Sequence, residues 1–117
     1  MTEVIPATLN LVARQNADFR RRLTLTDELG AAINLTGFVI DADISGSGGK
    51  IIATFSHEFV DTENGVFDLI LPKTVSVALA PGNYGWDLSL TSGIGERNYY
   101  LTGTLTIIAT ISREGQP

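Results

Sequence analysis

The chain has 117 residues, of which 44% are hydrophobic and 18% charged, with a net charge of −5 and no cysteine. That length suits one domain with one core, and the composition is too apolar for a disordered chain. The missing cysteines exclude disulfides and thiolate metal sites. The acidic balance disfavours a nucleic-acid partner, and no apolar run approaches the roughly 20 residues of a membrane-spanning helix.

The start, Met1-Thr2-Glu3-Val4-Ile5-Pro6, has neither the basic head nor the apolar stretch of a secretory signal, so synthesis in the cytoplasm is expected. A single domain over 1–117 is expected, with 1–6 and 112–117 as flexible arms.

Two-residue alternation of apolar and polar side chains dominates the chain and predicts half-buried strands. The first runs from Thr8 to Ala13. The second, Phe19 to Thr26, puts Phe19, Leu23 and Leu25 on one face and Arg20, Arg22 and Thr24 on the other. Asp27 to Gly30 reads as a turn, and a short extended piece covers Ala32 to Leu35. The third main strand, Phe38 to Ile44, turns Phe38, Ile40, Ala42 and Ile44 inward and Asp41 and Asp43 outward.

A flexible Gly-Ser loop at 45–50 leads to a fourth strand, Ile51 to His57, with Ile51, Ala53 and Phe55 aligned. After the turn around Asn64-Gly65, the fifth strand, Val66 to Leu71, faces Phe67, Leu69 and Leu71 inward and Asp68 outward. Pro72 to Leu79 is the one segment with helical spacing, and Pro72 suits a first helical position. The sixth strand, Tyr84 to Thr91, points Tyr84, Trp86, Leu88 and Leu90 at the core. The last, Tyr99 to Ile111, places Tyr99, Leu101, Leu105, Ile107 and Ile111 on one face.

The pattern predicts an all-β fold: an antiparallel, immunoglobulin-like β-sandwich of about seven strands with one short helical segment. A closed barrel is the competing architecture.

Chemistry-bearing motifs are few. His57, the single histidine, stands near a strand end and reads as an edge residue. The loop Gly46-Ser47-Gly48-Gly49-Lys50-Ile51 fails as a phosphate loop. Ile44 stands where a glycine is needed, and Ile51 where Ser or Thr is needed. The carboxylates Asp41, Asp43, Asp68 and Asp87 fall at outward strand positions, where alternation alone accounts for them. No catalytic, cofactor-binding or metal-ligating residue is assigned, and no cofactor or small-molecule substrate is expected.

Arg20-Arg21-Arg22 is the most unusual run. Arg20 and Arg22 project outward and either pair with an acidic neighbouring subunit or with the chain's own aspartates. Arg21 shares parity with Phe19 and Leu23, so a sheet rim or a carboxylate must accommodate it. Val39, Ile70, Ile108 and Tyr100 have outward parity and, if clustered, would mark a subunit interface. The candidate interface residues are Arg20, Arg22, Val39, Ile70 and Tyr100.

Five segments carry a family likeness. They are Asp18-Phe19-Arg20-Arg21-Arg22-Leu23-Thr24-Leu25-Thr26-Asp27, Ile33-Asn34-Leu35-Thr36-Gly37-Phe38, Asn64-Gly65-Val66-Phe67-Asp68-Leu69, Ala80-Pro81-Gly82-Asn83-Tyr84-Gly85-Trp86-Asp87-Leu88 and Gly103-Thr104-Leu105-Thr106-Ile107. Across almost its whole length the chain resembles the small β-sandwich tail and baseplate proteins of tailed phages. It is similar to the N-terminal domain of baseplate upper proteins, which tether receptor-binding proteins.

The resemblance implies a non-enzymatic virion structural protein, a tail, baseplate or fibre-connector subunit. It would dock in multiple copies on other virion structural proteins, with a homo-oligomer as one form. Family members are often fused to fibre or adhesin domains. This chain stops after one sandwich, which favours an adaptor, connector or decoration role. A capsid cement protein and a free-standing carbohydrate-binding module are the alternatives.

Overall fold

The computed structural model describes residues 7–27 and 29–109. The expected arms, 1–6 and 112–117, lie outside the described residues, as do Glu28 and Ile111. The strands are β1 (Ala7–Thr8), β2 (Leu11–Arg14), β3 (Phe19–Thr24), β4 (Val39–Ser45), β5 (Ile51–Thr54), β6 (Ser56–Asp61), β7 (Val66–Leu71), β8 (Gly82–Thr91) and β9 (Arg97–Ile108). One helical turn, α1 (Lys73–Ser76), joins β7 to β8. Pro72 is its N-cap rather than its first helical residue.

Two sheets form. One has the order β3-β7-β6; the other runs β1-β9-β8-β4-β5, with β2 also on β9. In immunoglobulin lettering, β3, β6 and β7 are B, D and E, and β4, β5, β8 and β9 are C, C′, F and G. The fold is therefore an all-β, immunoglobulin-like sandwich. Inner residues from alternating positions fill the space between the sheets: Leu23, Phe67, Leu69 and Leu71 on one side, Ile40, Ile44, Trp86, Leu88, Leu90 and Leu105 on the other.

The expected first strand is broken at Leu9-Asn10, and both halves run parallel to β9 where antiparallel pairing was expected. Hydrogen bonds at the break explain how it is held. Leu9 N–H donates to Thr102 O at 2.8 Å, and Trp86 Nε1–H donates to Leu9 O at 2.8 Å. Asn10 Oδ1 accepts from Thr104 N–H at 3.0 Å. Trp86 and Gly103 are cross-strand partners, and a Cβ at Gly103 would overlap the Leu9 carbonyl. Glycine is needed there for close approach rather than for an unusual φ.

At the start of β8, the Tyr84 hydroxyl donates to Ala80 O. This is the tyrosine corner of immunoglobulin-like sandwiches, and it fixes the chain where it enters that strand. Beside it, Asp18 Oδ1 accepts from Lys73 N–H at 2.8 Å, and the buried Ser76 hydroxyl donates to Ala17 O at 3.0 Å. Together these side chains bind α1 to the β2–β3 turn and satisfy groups that so short a helix leaves open.

Two differences from simple alternation matter below. The expected fourth strand is two strands, because the chain crosses from one sheet to the other at Phe55. That ring is buried against Phe19 at 6.1 Å and Trp86 at 5.6 Å between ring centroids. The second difference is a bulge in β9 opposite Leu88/Ser89. It shifts parity by one residue, so Tyr99 is exposed and Tyr100 packs on the core, the reverse of the expected orientation.

Gly103→Ala is expected to destabilise the fold by about 1–3 kcal/mol through forced displacement of the Leu9 backbone. Urea unfolding followed by fluorescence of the single Trp86 measures it. An unchanged midpoint contradicts the close approach.

Candidate functional site

Cross-strand register gathers the charges of the three-stranded sheet into one cluster on its outer face. Arg22 pairs across from Asp68, which in turn lies opposite Glu58; Arg20 lies opposite Ile70. Arg22 Nε donates to Asp68 Oδ1 at 2.9 Å and its Nη2 to Oδ2 at 3.3 Å. Arg20 Nη1 donates to Asp68 Oδ2 at 2.7 Å and to Glu58 Oε1 at 3.3 Å. The two guanidiniums cover the carboxylate, leaving the Asp68 side chain 4% exposed although it is on the outward side.

Hydrogen bonds from Arg22 first, and from Arg20 second, hold the Asp68 carboxyl below the usual carboxylate range. Of the two readings open for Arg20 and Arg22, the intramolecular one is present in the structure. Arg20 engages these partners through Nη1 alone, so it keeps further donors for other contacts. Arg21 is exposed on the edge strand β3, opposite Leu69, at the rim that its parity required.

The outer face of the larger sheet is acidic. Asp43 and Asp87 are cross-strand partners, and Asp41 lies opposite Ser89. Arg97 Nη2 is 3.3 Å from Asp41. Among the described residues no cation lies within ion-pair distance of Asp43 or Asp87. Burial pushes the Asp87 carboxyl above its usual range, and the neighbouring charge of Asp43 adds to the shift.

The apolar candidates do not form one patch. Ile70 is half-buried on the outer face of the three-stranded sheet, between Arg20 and Ser56. Val39 and Tyr100 belong to the other sheet. Tyr100 packs against the core because of the β9 bulge, while Val39 is 58% exposed at the start of β4.

The crossing at Phe55 creates a feature that alternation does not reveal. β5 and β6 each form one edge of their sheets, and Ile51, Ile52, Phe59 and Val60 are exposed along them. In the sequence the two strands form one extended run from Ile51 to Asp61 without Gly, Pro or Asn, so alternation does not mark the crossing.

At the crossing lies a shallow depression of about 350 Å³, lined by residues 40–43 and 54–57. His57 sits on its rim, exposed, with its ring edge-on to Phe59 at 5.4 Å. Asp41 and Asp43 are on the same rim. Among the described residues no group of three or more His, Cys, Asp or Glu side chains is disposed to hold a metal ion.

No protein-family model matches the chain, and no curated protein matches it. Among solved structures, the chain is similar to part of a family 123 glycoside hydrolase from Clostridium perfringens, at 11% identity and a TM-score of 0.41. That similarity covers 89% of this chain and 23% of the hydrolase chain.

The two perturbed carboxylates predict opposite effects of pH. Asp68 titrates lower in the folded chain than in the unfolded one. Its stabilising contribution is therefore complete above about pH 4 and is lost as pH falls toward the folded value. Asp87 titrates higher when folded, so its ionisation opposes folding at neutral pH and stops doing so below about pH 4. Urea midpoints against pH should show Asp68→Asn less stable than wild type at pH 7 with a flatter acid limb. Asp87→Asn should be more stable at pH 7 and converge on wild type in acid. An acid limb left unaltered by Asp68→Asn contradicts the pairing.

Proposed function

We propose that this chain is a non-catalytic docking module that serves as a structural subunit of a larger protein assembly. The observation that carries this reading is the pair of edge strands, β5 and β6, with Ile51, Ile52, Phe59 and Val60 exposed beside unpaired backbone. A free-standing sandwich blunts such edges with charge, proline or a covering loop; β6 carries Glu58 and Asp61, whereas β5 carries no charge. Exposed apolar side chains along two adjacent edges suit a surface that another chain covers.

The remainder of the molecule is consistent with that role. Its large apolar side chains pack between the sheets, and Arg20 and Arg22 brace the outer face through Asp68. The kind of assembly is drawn from the resemblance of the five sequence segments to phage tail and baseplate proteins. On that basis the partners are other virion structural proteins and the location is the virion. A cement role on the capsid uses the same surfaces.

Quantitative mass spectrometry of purified phage particles from the organism carrying this gene tests the proposal. The chain is expected at a fixed multi-copy ratio to the tail proteins. A fixed ratio to the major capsid protein in tailless particles would assign it to the capsid instead. Complete absence from intact particles would refute the virion assignment.

A further inference from the structure

The departure of the chain at Phe55 leaves half of β4 without a neighbour. β5 pairs with β4 over Asp43↔Thr54, Ile44↔Ala53 and Ser45↔Ile51, and Phe55 N–H donates to Ala42 O at 2.8 Å. The chain then passes to the other sheet. Val39, Ile40 and Asp41 pair with β8 on one side only.

Backbone groups in an antiparallel strand alternate sides. Since the Ala42 carbonyl points to β5, the N–H and C=O of Ile40 point the same way, into the depression. Among the described residues they have no hydrogen-bond partner there, although Ile40 is only 3% exposed. An unpaired strand edge is a ready template for another strand, so this gap suits a missing one.

We infer that the open edge of β4 accepts an extended segment of another protein, with a Lys or Arg side chain opposite Asp41 and Asp43 and an apolar one opposite Val39. The mode is strand addition, in which backbone hydrogen bonds supply affinity and alternate side chains supply selectivity. Val39, Asp41 and Asp43 share the outward face, so the basic and apolar residues of the segment stand two apart. The side chain between them meets Ile40 and Phe55 and is small and apolar.

Charge chooses the occupant. Asp43 has no cation in range among the described residues, Asp41 has Arg97 alone, and both carboxylates line the opening. A second copy of this chain brings a net charge of −5 toward that acidic rim, which opposes self-association. A basic strand from a different subunit is favoured instead. This inference rests on the docking reading above and specifies its partner and its position.

The test is an NMR amide-shift titration of the whole chain with two short capped peptides, a Val-Lys peptide with the repeat Lys-Ala-Val-Ala and a Val-Glu peptide with the repeat Glu-Ala-Val-Ala, which set the charged and apolar residues two apart on one face. The Val-Lys peptide is expected to bind saturably and shift amides at 39–43 and 54–57. An Asp41→Asn/Asp43→Asn double variant, confirmed as folded by its urea midpoint, should weaken that binding by roughly tenfold. Equal binding of both peptides, shifts mapping elsewhere, no binding at millimolar peptide, or a dimer joined at β4 by light scattering each overturns the inference. If the peptides fail while the chain is found at fixed ratio in particles, the docking role stands and only the β4 edge falls.

Discussion

The burial of Phe55 between the sheets is the constraint on which the useful features of this molecule depend. One extended run has to serve two sheets, and the ring is where it changes from one to the other. Packing against Phe19 and Trp86 fixes that point. It gives the three-stranded sheet one edge strand, β6, and it shortens β5. It also uncovers the Val39-to-Asp41 edge of β4 and opens the depression beside it. An apolar contact in the core thereby determines which stretch of sheet edge is left open.

Electrostatics divides the two outer faces. On the three-stranded sheet, cross-strand register sets Arg22, Asp68 and Glu58 in one row with Arg20 alongside, so opposite charges meet within the chain. On the other sheet, register sets Asp43 opposite Asp87, and the like charges find no internal relief. The basic run that stands out in the sequence is thus largely occupied in holding its own sheet together. The acidic face, which the net charge of −5 implies but does not locate, holds the unsatisfied charge. An external cation gains more there than an external carboxylate gains at Arg20 and Arg22.

Close approach, more than propensity, secures the N-terminal strand. Leu9 and Asn10 lie against Gly103, and the indole of Trp86 reaches past that glycine to the Leu9 carbonyl. Because β1 and β2 pair with β9, β3 is left as an open edge and Arg21 becomes tolerable at an inward-parity position. Gly65 plays a similar part elsewhere. Its φ of 73° and a would-be Cβ contact of 2.7 Å to Leu25 O leave no room for another residue in the turn before β7.

Alternation in the sequence by itself determined the all-β class and the inner faces: it assigned Leu23, Phe67, Leu69, Trp86, Leu88, Leu90 and Leu105 to the interior, because side chains two apart must share a face. It also turned Arg20, Arg22 and Asp68 outward on their strands. Partner, register and the points where periodicity breaks belong to the tertiary structure alone. The crossing at Phe55, the bulge that exchanges Tyr99 and Tyr100, and the parallel run of β1 and β2 along β9 each depend on contacts between residues far apart in the chain. Two-residue spacing carries no information about which strand lies alongside, so it marks an inner face without revealing which edge is left uncovered.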